Sequence, residues 1–428
     1  MKNVVIVAGL RTPFLKMNSE FKNIPAYDLG AQVIKELVKR NELDVKHIDE
    51  VIIGNVAQPP EAANLARHIA LLADIPYSVP AVTVQRNCAS GMEAIAYAYQ
   101  KIQADMGKVF VVGGAENMSQ IPLMWNVGAR NWLQKFMRCK GKWQQYRMLG
   151  KFHFDYFRPI IGLKLVLSDR FCGLEMGHTA EILAHDFGIS REEQDAFSLR
   201  SHQRAKQAID GGKFAEEIMP YLIDEEEEDS RVFHDNGVRE LSNTDKLAKL
   251  KTVFKKDGGT VTAGNASQIT DGAAMLLVME EEHAKEMGYK PLARLRSFAF
   301  AGLDPSYMGL GPAYATPLAL DKAQMTVKDL DLVEINEAFA VQVLANLRIF
   351  SSDSLSEKYL QRPAMGEIDE NILNVNGGAI ALGHPVGASA VRIVMNLVNE
   401  LRRQDKNAGL ATLCVGGGQG ASFILETV

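Results

Sequence analysis

The chain has little of what marks secreted, metal-binding or membrane-spanning proteins. Only four of its 428 residues are cysteines, none in a CxxC pair or at a metal-ligand spacing from a histidine. This pattern is typical of free thiols in a reducing compartment. No apolar run approaches the roughly 20 residues of a membrane-spanning helix, and the apolar stretch 4–10 is too short for the core of a signal peptide. We therefore expect a cytoplasmic protein with no metal site.

An excess of positive charge is also missing. The formal net charge is -5 at pH 7, which argues against a protein that binds nucleic acid through its phosphates. With 47% hydrophobic and 23% charged residues, the composition is that of a soluble globular enzyme. A chain of 428 residues exceeds what one hydrophobic core usually supports, so we expect two or three domains.

Cys88 lies between a segment with a strand pattern and a segment with a helical pattern of apolar residues. The apolar, β-branched run 82–84 precedes it, and apolar residues at helical spacing follow it, at Met92, Ile95, Ala96, Tyr99 and Ile102. The pattern predicts a strand, a tight turn and a helix, with the thiol at the turn. Near the first free N–H groups and the positive end of the helix dipole, its pKa should be lowered. A buried core cysteine is the alternative interpretation of a lone thiol.

Two glycine-rich segments supply partners for such a thiolate. Segment 376–389 carries His384 just before the helical pattern Val391, Ile393, Val394, Leu397 and Leu401. Segment 413–420 runs through Cys414 into three successive glycines, which let the backbone approach a ligand closely. Two cysteines and a histidine, each on a loop at the end of an element, suit acyl transfer through a thioester. One thiolate attacks, the imidazole activates it, and the other thiol moves a proton.

Together with Asn-Glu-Ala-Phe-Ala at 336–340, these motifs resemble those of the thiolase family. The resemblance extends over nearly the whole chain, because segments 5–14, 113–119, 176–181 and 261–267 follow in the family's order. It implies an α/β thiolase fold. Two similar halves are stacked in the layer order α-β-α-β-α, with an inserted loop domain and the active site where the halves meet.

An internal repeat also indicates two halves. Residues 45–55 resemble residues 327–337, and the loop, helix, strand and glycines from 88 to 114 return from 384 to 417. Each half should then be a mostly parallel sheet packed between helices. We expect an N-terminal half of residues 1–120 and 251–285, an inserted loop domain of 121–250 and a C-terminal half of 286–428. The six consecutive acids 224–229 are interpreted as a solvated loop.

The resemblance to thiolases also implies a set of site residues. Cys88 is the nucleophile, His384 its base and Cys414 the carrier of a second proton. Nε2 of His384 and a water held by Asn336 bind the enolate oxygen, and the backbone N–H groups of Cys88 and Gly416 form a second oxyanion hole. Coenzyme A is a co-substrate and no cofactor is bound permanently. Its pantetheine chain is contacted by Ser267, Ala338, Phe339 and Phe254.

These residues leave more than one function open. The first is a degradative 3-ketoacyl-CoA thiolase of fatty-acid β-oxidation, acting on medium or long chains. The second is a biosynthetic acetoacetyl-CoA thiolase, which condenses two acetyl-CoA molecules with the same residues. Decarboxylating ketoacyl synthases share the fold but lack the second catalytic cysteine, so Cys414 counts against them. A catalytically idle scaffold should have lost Cys88, His384 or Cys414, and all three are present.

Segment 121–168 differs from the rest of the chain in composition. It carries nine lysines or arginines against one acid, Asp155, and it holds all three tryptophans. One interpretation is a helical hairpin that covers the active site and turns its basic face to water. The other is a surface for a partner or for peripheral contact with an anionic membrane. Residues 151–159 resemble the thiolase subunit of trifunctional β-oxidation complexes, which implies a hydratase–dehydrogenase partner subunit. The resemblance to thiolases in general implies at least a homodimer.

Overall fold

Strands and helices alternate along most of the chain. The computed structural model describes residues 2–224 and 227–428. Its strands are β1 (Val4–Arg11), β2 (Leu15–Lys16), β3 (Glu50–Gly54), β4 (Ala81–Val84), β5 (Val109–Glu116), β6 (Leu123–Met124), β7 (Ile160–Ile161), β8 (Tyr221–Leu222), β9 (Arg231–Val232), β10 (Thr270–Glu280), β11 (Ala293–Gly302), β12 (Leu332–Ile335), β13 (Ala408–Val415) and β14 (Gln419–Thr427). Its helices are α1 (Ala26–Arg40), α2 (Leu65–Leu72), α3 (Ser90–Gln103), α4 (Val127–Met137), α5 (Lys142–Leu149), α6 (Gly162–Val166), α7 (Met176–Asp186), α8 (Arg191–Asp210), α9 (Asp245–Ala248), α10 (Glu281–Glu286), α11 (Gly311–Ala323), α12 (Ala340–Ser351), α13 (Asp353–Leu360), α14 (Ala379–Leu382) and α15 (Ser389–Arg403).

Two sheets are joined edge to edge. The first has the order β4-β3-β5-β10-β1 and the second the order β11-β14-β13-β12, and a short pairing of β1 with β11 connects them. Strand β3 is parallel to β4 and β5, and β12 is parallel to β13. Strand β10 runs antiparallel to β1, β2 and β5, and β14 runs antiparallel to β11 and β13. The prediction of mostly parallel halves is therefore wrong. In the second half the reason is local, because the turn 416–418 is too short for a parallel crossover.

Three large hydrophobic clusters show how the layers stack. One lies between the two sheets and contains side chains of α3 and α15, such as Ile95 and Val391. A second packs α1 and α2 on the outer face of the first sheet. A third packs α11 and α12 on the outer face of the second sheet. The predicted layer order α-β-α-β-α is confirmed.

Both copies of the internal repeat adopt the same local structure. A short 3₁₀ turn leads into β3 in one copy and into β12 in the other. Helix α3 then leads into β5, and α15 into β13. The two central helices approach each other at their amino ends, since a Cβ on Gly91 would lie 2.5 Å from Cγ2 of Val391. Because α3 follows Cys88 and α15 follows His384, this approach brings the two loops together.

The insertion predicted at 121–250 holds α4 to α9 and the two-stranded ribbons β6–β7 and β8–β9. Helices α4 and α5 form a hairpin, closed by a hydrogen bond of 2.9 Å from Nε1 of Trp132 to the carbonyl O of Met148. The acidic run 224–229 includes residues 225 and 226, which lie outside the described residues. The domain boundaries at 120, 250 and 285 stay a prediction. Within the described ranges, no helix is long and apolar enough to cross a membrane.

Candidate active site

One cavity, with a volume of about 320 Å³, collects most of the residues predicted from the sequence. We call it the cysteine cavity, and its lining includes Cys88, His384, Cys414, Gly416, Ser267, Ala338 and Phe339. The lining comes from the carboxyl ends of β4, β12 and β13 and from the loop before α15, so both halves contribute. Phe254 lines an adjoining cavity of about 380 Å³. Asn336 is buried and lies two residues before Ala338 in the chain, but it is not part of either lining.

Cys88 lies in the turn between β4 and α3, as the periodicity predicts. Cys88 is a half-buried residue, and burial raises the pKa of its thiol. The backbone N–H groups of Gly416 and of Cys88 itself oppose this rise, and the carboxyl group of Glu116 adds to it. The expected lowering of the pKa is therefore wrong, because loss of water around the sulfur outweighs the N–H groups near the helix start. A thiolate at this position needs a base.

Asn87 fastens the Cys88 turn to the second half of the molecule. Its φ of 42° lies in the left-handed region, which asparagine adopts more readily than most residues. Its Nδ2 donates a hydrogen bond of 2.7 Å to the carbonyl O of Gly416. The turn is closed by Ser90, whose Oγ donates to the carbonyl O of Asn87 at 2.7 Å. The sequence analysis missed Asn87, although its position directly before Cys88 was a usable signal.

The loop before α15 presents His384 as a neutral base. Nδ1 of His384 lies 2.6 Å from Oγ of Ser389, and that hydroxyl donates its proton to the carbonyl O of Pro385. Since a hydroxyl has one proton, Nδ1 must carry the hydrogen of this contact, and Nε2 keeps a free lone pair. Burial and the nearby guanidinium of Arg392 lower the pKa of His384 to about 4. Near pH 7 the imidazole is neutral and can accept a proton at Nε2.

Cys414 lies at the end of β13, where it pairs with Gly420 of β14. Burial raises the pKa of this thiol, the neighbouring Cys88 raises it further, and its own backbone N–H opposes the rise. Gly417 and Gly418 have φ values of 86° and 75°, which let the chain reverse just beyond the thiol. A thiol of this kind stays protonated and gives up its proton to a strong base such as a carbanion.

Asn336 follows β12 and has one unpaired donor. Its backbone N–H donates to the carbonyl O of Thr412 at 2.9 Å, and its Oδ1 accepts from Nη2 of Arg392 at 3.3 Å. Its Nδ2 is buried and has no hydrogen-bond partner among the described residues. Buried polar groups in native proteins are rarely left unpaired. The amide nitrogen is therefore free to donate a hydrogen bond, and its role toward a water or a substrate oxygen stays a prediction.

The four residues predicted to contact coenzyme A lie close together. The backbone N–H of Ser267 donates to the carbonyl O of Ala338 at 2.9 Å. The ring of Phe254 meets the ring of Phe339 edge-on, with centroids 6.4 Å apart. Ser267 and Phe339 line both cavities, so the two spaces adjoin along this side. The role of these residues toward coenzyme A stays a prediction.

The insertion supplies walls that no sequence motif indicated. Leu165 and Val166 line the cysteine cavity, Leu163 lines the adjoining one, and Leu167 lines both. These residues belong to α6 and its flank, which lies far from the two cysteines in the sequence. Leucine and valine are common in any helix, so only the tertiary arrangement identifies them as cavity walls.

Glu116, at the end of β5, holds together two loops around the cavity. Its carboxylate accepts hydrogen bonds of 2.9–3.0 Å from the backbone N–H groups of Val56, Ala57 and Gly387 and from Nδ2 of Asn55. Burial raises the pKa of Glu116 to about 7, and the backbone N–H groups oppose this rise. Gly387 belongs to the His384 loop, so Glu116 fixes that loop to the first sheet. The sequence analysis missed this role.

Comparison with known proteins agrees with this geometry. Residues 4–282 match the family description "Thiolase, N-terminal domain", and residues 289–427 match "Thiolase, C-terminal domain". The chain belongs to the thiolase family. The resemblance stated from the sequence motifs is thereby confirmed, and the protein is a thiolase, an acyltransferase.

Relatives of this thiolase match it over nearly their whole length. The 3-ketoacyl-CoA thiolase of Photorhabdus laumondii is 41% identical over 99% of this chain and 96% of its own length. Acetyl-CoA acetyltransferase of Bacillus anthracis has a TM-score of 0.87 and 39% identity, covering 100% of this chain and 99% of the other. Human mitochondrial 3-ketoacyl-CoA thiolase in complex with CoA has a TM-score of 0.85 and 38% identity, covering 100% and 98%. The thiolase fold of this chain is thereby confirmed.

Proposed function

We propose that this thiolase cleaves 3-ketoacyl-CoA with coenzyme A, giving acetyl-CoA and a shortened acyl-CoA in fatty-acid β-oxidation. The observation that carries the proposal is the meeting of two thiols and one neutral imidazole in the cysteine cavity. A nucleophile and a base would suffice to exchange a thioester. Cleavage of a carbon–carbon bond also needs a proton donor for the departing carbanion, and the second thiol supplies it.

In the first half-reaction, Nε2 of His384 takes the proton of Cys88, and the thiolate attacks the 3-keto carbon of the substrate. The bond between C2 and C3 then breaks, and its electron pair leaves with C2 as the enolate of acetyl-CoA. Cys414 donates its proton to C2. Acetyl-CoA departs, and the shortened acyl group remains on Cys88 as a thioester.

In the second half-reaction, the Cys414 thiolate takes the proton of the incoming coenzyme A. The coenzyme A thiolate attacks the acyl carbonyl, and the sulfur of Cys88 leaves and recovers its proton from His384. Both cysteines end the cycle protonated, so the only net change is transfer of the acyl group. The proton of Cys88 is exchanged with His384, whereas Cys414 gives its proton to C2 and takes one from coenzyme A. The reaction therefore needs two thiols in one cavity.

Two sets of donors meet the negative oxygens that form in these steps. The N–H groups of Gly416 and Cys88 act on the Cys88 sulfur, and this contact supports them as the proposed donors for the oxygen of the carbon bonded to that sulfur. Nε2–H of His384 and, through a water, the unpaired Nδ2 of Asn336 are proposed for the thioester oxygen of the enolate. Removing one such donor typically costs roughly 3 kcal/mol of transition-state stabilisation.

Coenzyme A is proposed to reach Cys88 along Ser267, Ala338, Phe339 and Phe254. Two observations support this route. The human mitochondrial thiolase structure, similar over this whole chain, contains CoA. Ser267 and Phe339 also connect the cysteine cavity with the adjoining one, which provides room for an extended ligand. The acyl chain is proposed on the other side of Cys88, against Leu165 and Val166 of the insertion.

The apolar walls of the cysteine cavity favour the degradative direction with medium or long chains. Condensation of two acetyl-CoA molecules, the biosynthetic alternative, uses the same residues but needs little apolar surface beyond Cys88. The test is kcat/KM for thiolysis of short, medium and long 3-ketoacyl-CoA. A rise with chain length supports the proposal, and activity confined to acetoacetyl-CoA supports the alternative. Val166→Phe should lower the long-chain rate and spare acetoacetyl-CoA.

We also propose that segment 121–168 is an interaction surface for a hydratase–dehydrogenase subunit, on a thiolase that is at least a homodimer. Some of its aromatic residues build the hairpin itself, since Trp132 packs on Phe136 and Phe152 with ring centroids 5.2 and 5.0 Å apart. Others are unused by the hairpin, because Trp143 is 77% and Phe154 87% exposed. A segment that only covers the active site would need apolar residues on its inner face alone, so these exposed aromatic residues favour an interaction surface. The four free cysteines support a cytoplasmic location for such a complex.

Charge reversal separates the interpretations of this segment. Four basic side chains of the hairpin are exposed and can be changed to Glu together: Lys135, Arg138, Lys142 and Arg147. The variant should keep thiolysis of a short substrate and lose co-purification with the partner subunit, and that association should weaken with salt. The matched control reverses four exposed basic residues elsewhere: Lys22, Lys39, Lys46 and Arg402. If the variant loses only its binding to anionic vesicles, the segment is a membrane surface. If it keeps both vesicle binding and partner co-purification, the segment only covers the active site.

A further inference from the structure

The fold buries two arginine side chains completely and compensates their charges differently. Arg11, at the end of β1, donates to the carboxylate of Glu217 at 2.8 Å and to both oxygens of Asp235 at 2.7 and 2.9 Å. Arg392, in the first turn of α15, has no such carboxylate clamp among the described residues. The carboxylates around Arg11 explain it as a structural cation. The surroundings of Arg392 do not explain its burial in the same way.

The contacts of Arg392 are few and long. Its Nη2 donates to Oδ1 of Asn336 at 3.3 Å, and its Nη1 lies 4.0 Å from a carboxylate oxygen of Glu334. Nε and Nη1 have no hydrogen-bond partner among the described residues. Taking a guanidinium out of water is costly unless its donors are satisfied. An arginine kept at this position despite that cost calls for a role beyond stability.

The guanidinium determines which way the Asn336 amide faces. A guanidinium can only donate, so the amide must turn its oxygen towards Nη2 and its NH₂ group away from it. The backbone N–H of Asn336 is itself held by the carbonyl O of Thr412. Nδ2 is then left as the buried donor without a partner. Without Arg392 the amide can rotate by half a turn and place an acceptor where the donor was.

We propose that Arg392 is a positioning residue for carbon–carbon bond cleavage: it keeps Nδ2 of Asn336 turned towards the thioester oxygen of the departing enolate. This rests on the function proposed above. When the C2–C3 bond breaks, its electron pair moves to C2 and onto that oxygen, until Cys414 protonates C2. No enolate forms when coenzyme A attacks the acyl group on Cys88. The hydrogen bond from Arg392 to Asn336 should therefore contribute only to the first half-reaction.

The charge of Arg392 reaches both groups that are proposed for this oxygen. Besides its hydrogen bond to Asn336, it acts with burial to lower the pKa of His384. The groups that act on Cys88 are different, namely the N–H groups of Gly416 and of Cys88 itself and the carboxyl group of Glu116. Arg392 therefore acts directly on the proposed enolate hole, and it reaches Cys88 only indirectly, through His384, the base of that thiol.

The test measures the two half-reactions separately in Arg392→Met, which keeps the length of the side chain and removes its donors. A single turnover of 3-ketoacyl-CoA without free coenzyme A reports the first half-reaction through release of acetyl-CoA. Exchange of labelled coenzyme A into acetyl-CoA reports only acyl transfer at Cys88. We expect acetyl-CoA release to slow about 100-fold, as for loss of one oxyanion donor, and the exchange rate, which the variant affects only through the pKa of His384, to change much less.

Three further variants keep the test decisive. Arg392→Lys retains the charge without the planar fork, so acetyl-CoA release should recover in part. In an Asn336→Ala background, Arg392→Met should add little, because the two residues act as a unit. Val394→Ala, whose side chain packs between the sheets, should lower the thermal midpoint and leave the ratio of the two rates unchanged.

Each outcome decides one question. Equal slowing of both half-reactions in Arg392→Met, or of neither, overturns the positioning role. If this variant does not fold, the ratio is read in Arg392→Lys, and an unchanged ratio there overturns the role as well. A wild-type enzyme that performs neither half-reaction would instead contradict the proposed function and leave no reaction for Arg392 to support.

Discussion

The two cysteines of the cavity carry the same thiol in two different settings. Cys88 is half-buried in a turn before a helix, and two backbone N–H groups, its own and that of Gly416, act on its sulfur. Cys414 is 1% exposed near the end of a strand that has neighbours on both sides. Burial raises the pKa of both thiols, so neither is a thiolate without help.

In the proposed mechanism, access and neighbours, rather than acidity, divide the roles of the two thiols. Cys88 is a half-buried residue that lines the cavity beside donors that can hold an oxyanion, which suits covalent attack. The buried sulfur of Cys414 keeps its proton, which suits donation to a carbanion. The two cysteines should therefore fail in different ways when each is removed.

The largest effect is expected for Cys88→Ala, which should abolish the acyl-enzyme altogether because no other sulfur has the N–H groups of Gly416 and Cys88 beside it. Mass spectrometry of the protein after mixing with acyl-CoA measures the adduct. Cys172→Ala is the matched control, since Cys172 is a half-buried free thiol outside the cavity lining, and it should be acylated like the wild type. A stable adduct on Cys414 would contradict the assignment of Cys88 as the nucleophile.

His384→Asn should slow acylation of Cys88 by roughly 10³-fold or more, because removing one member of a coupled nucleophile–base pair costs nearly as much as removing both. The raised pKa of Cys88 makes this base indispensable near neutral pH. Alkylation of Cys88 by a small reagent should slow as well, and its rate should now rise only at higher pH. An unchanged alkylation rate and pH profile would show that the two residues are not coupled.

Cys414→Ala should still be acylated by a simple acyl-CoA, because that step uses Cys88 and His384. Turnover of 3-ketoacyl-CoA should fall by about 10² to 10⁴, the usual contribution of a positioned acid or base. Single-turnover mass spectrometry and steady-state rates measure the two quantities on one sample. If acylation by acyl-CoA and turnover of 3-ketoacyl-CoA fall by the same factor, the two thiols do not have separate roles.

Ser389→Ala should lower turnover by roughly one order of magnitude, a small part of what a general base contributes. Without the hydroxyl, the hydrogen on Nδ1 of His384 loses its acceptor, and the tautomer with the lone pair on Nε2 is no longer favoured. Nitrogen chemical shifts of the imidazole report the tautomer directly. Ser389→Thr should retain both the tautomer and most of the activity, and a full loss in that variant would point to packing instead.

The smallest effect concerns stability in acid. The pKa of His384 is lowered to about 4 in the folded protein, so between this value and 6.5 the unfolded chain binds more protons than the native one. Stability should therefore fall as the pH is lowered through this window. In His384→Asn this contribution is absent, and the denaturation midpoint should depend less on pH between 7 and 4. Equal slopes in both proteins would mean that His384 is not held neutral.

Much of the candidate site was predictable because its signals are local. The change of period around Cys88 and the glycines beside His384 and Cys414 are visible within a few residues of each side chain. The internal repeat made two halves predictable, since similar segments fold alike. Strand direction in the first half was not predictable, because antiparallel β10 pairs with β1 and β5 across long stretches of chain. Asn87 and Arg392 were missed because their partners, Gly416 and Asn336, are distant in sequence.

By itself, the sequence determined which groups are available: two thiols and an imidazole at the ends of strands and helices, in a chain of two similar halves. Only the tertiary structure decided the state of those groups. It raised the pKa of both thiols, left His384 neutral and turned the Asn336 amide. The physical reason is that protonation and amide orientation depend on excluded water and on neighbouring charges. Both arise where segments far apart in the chain pack together.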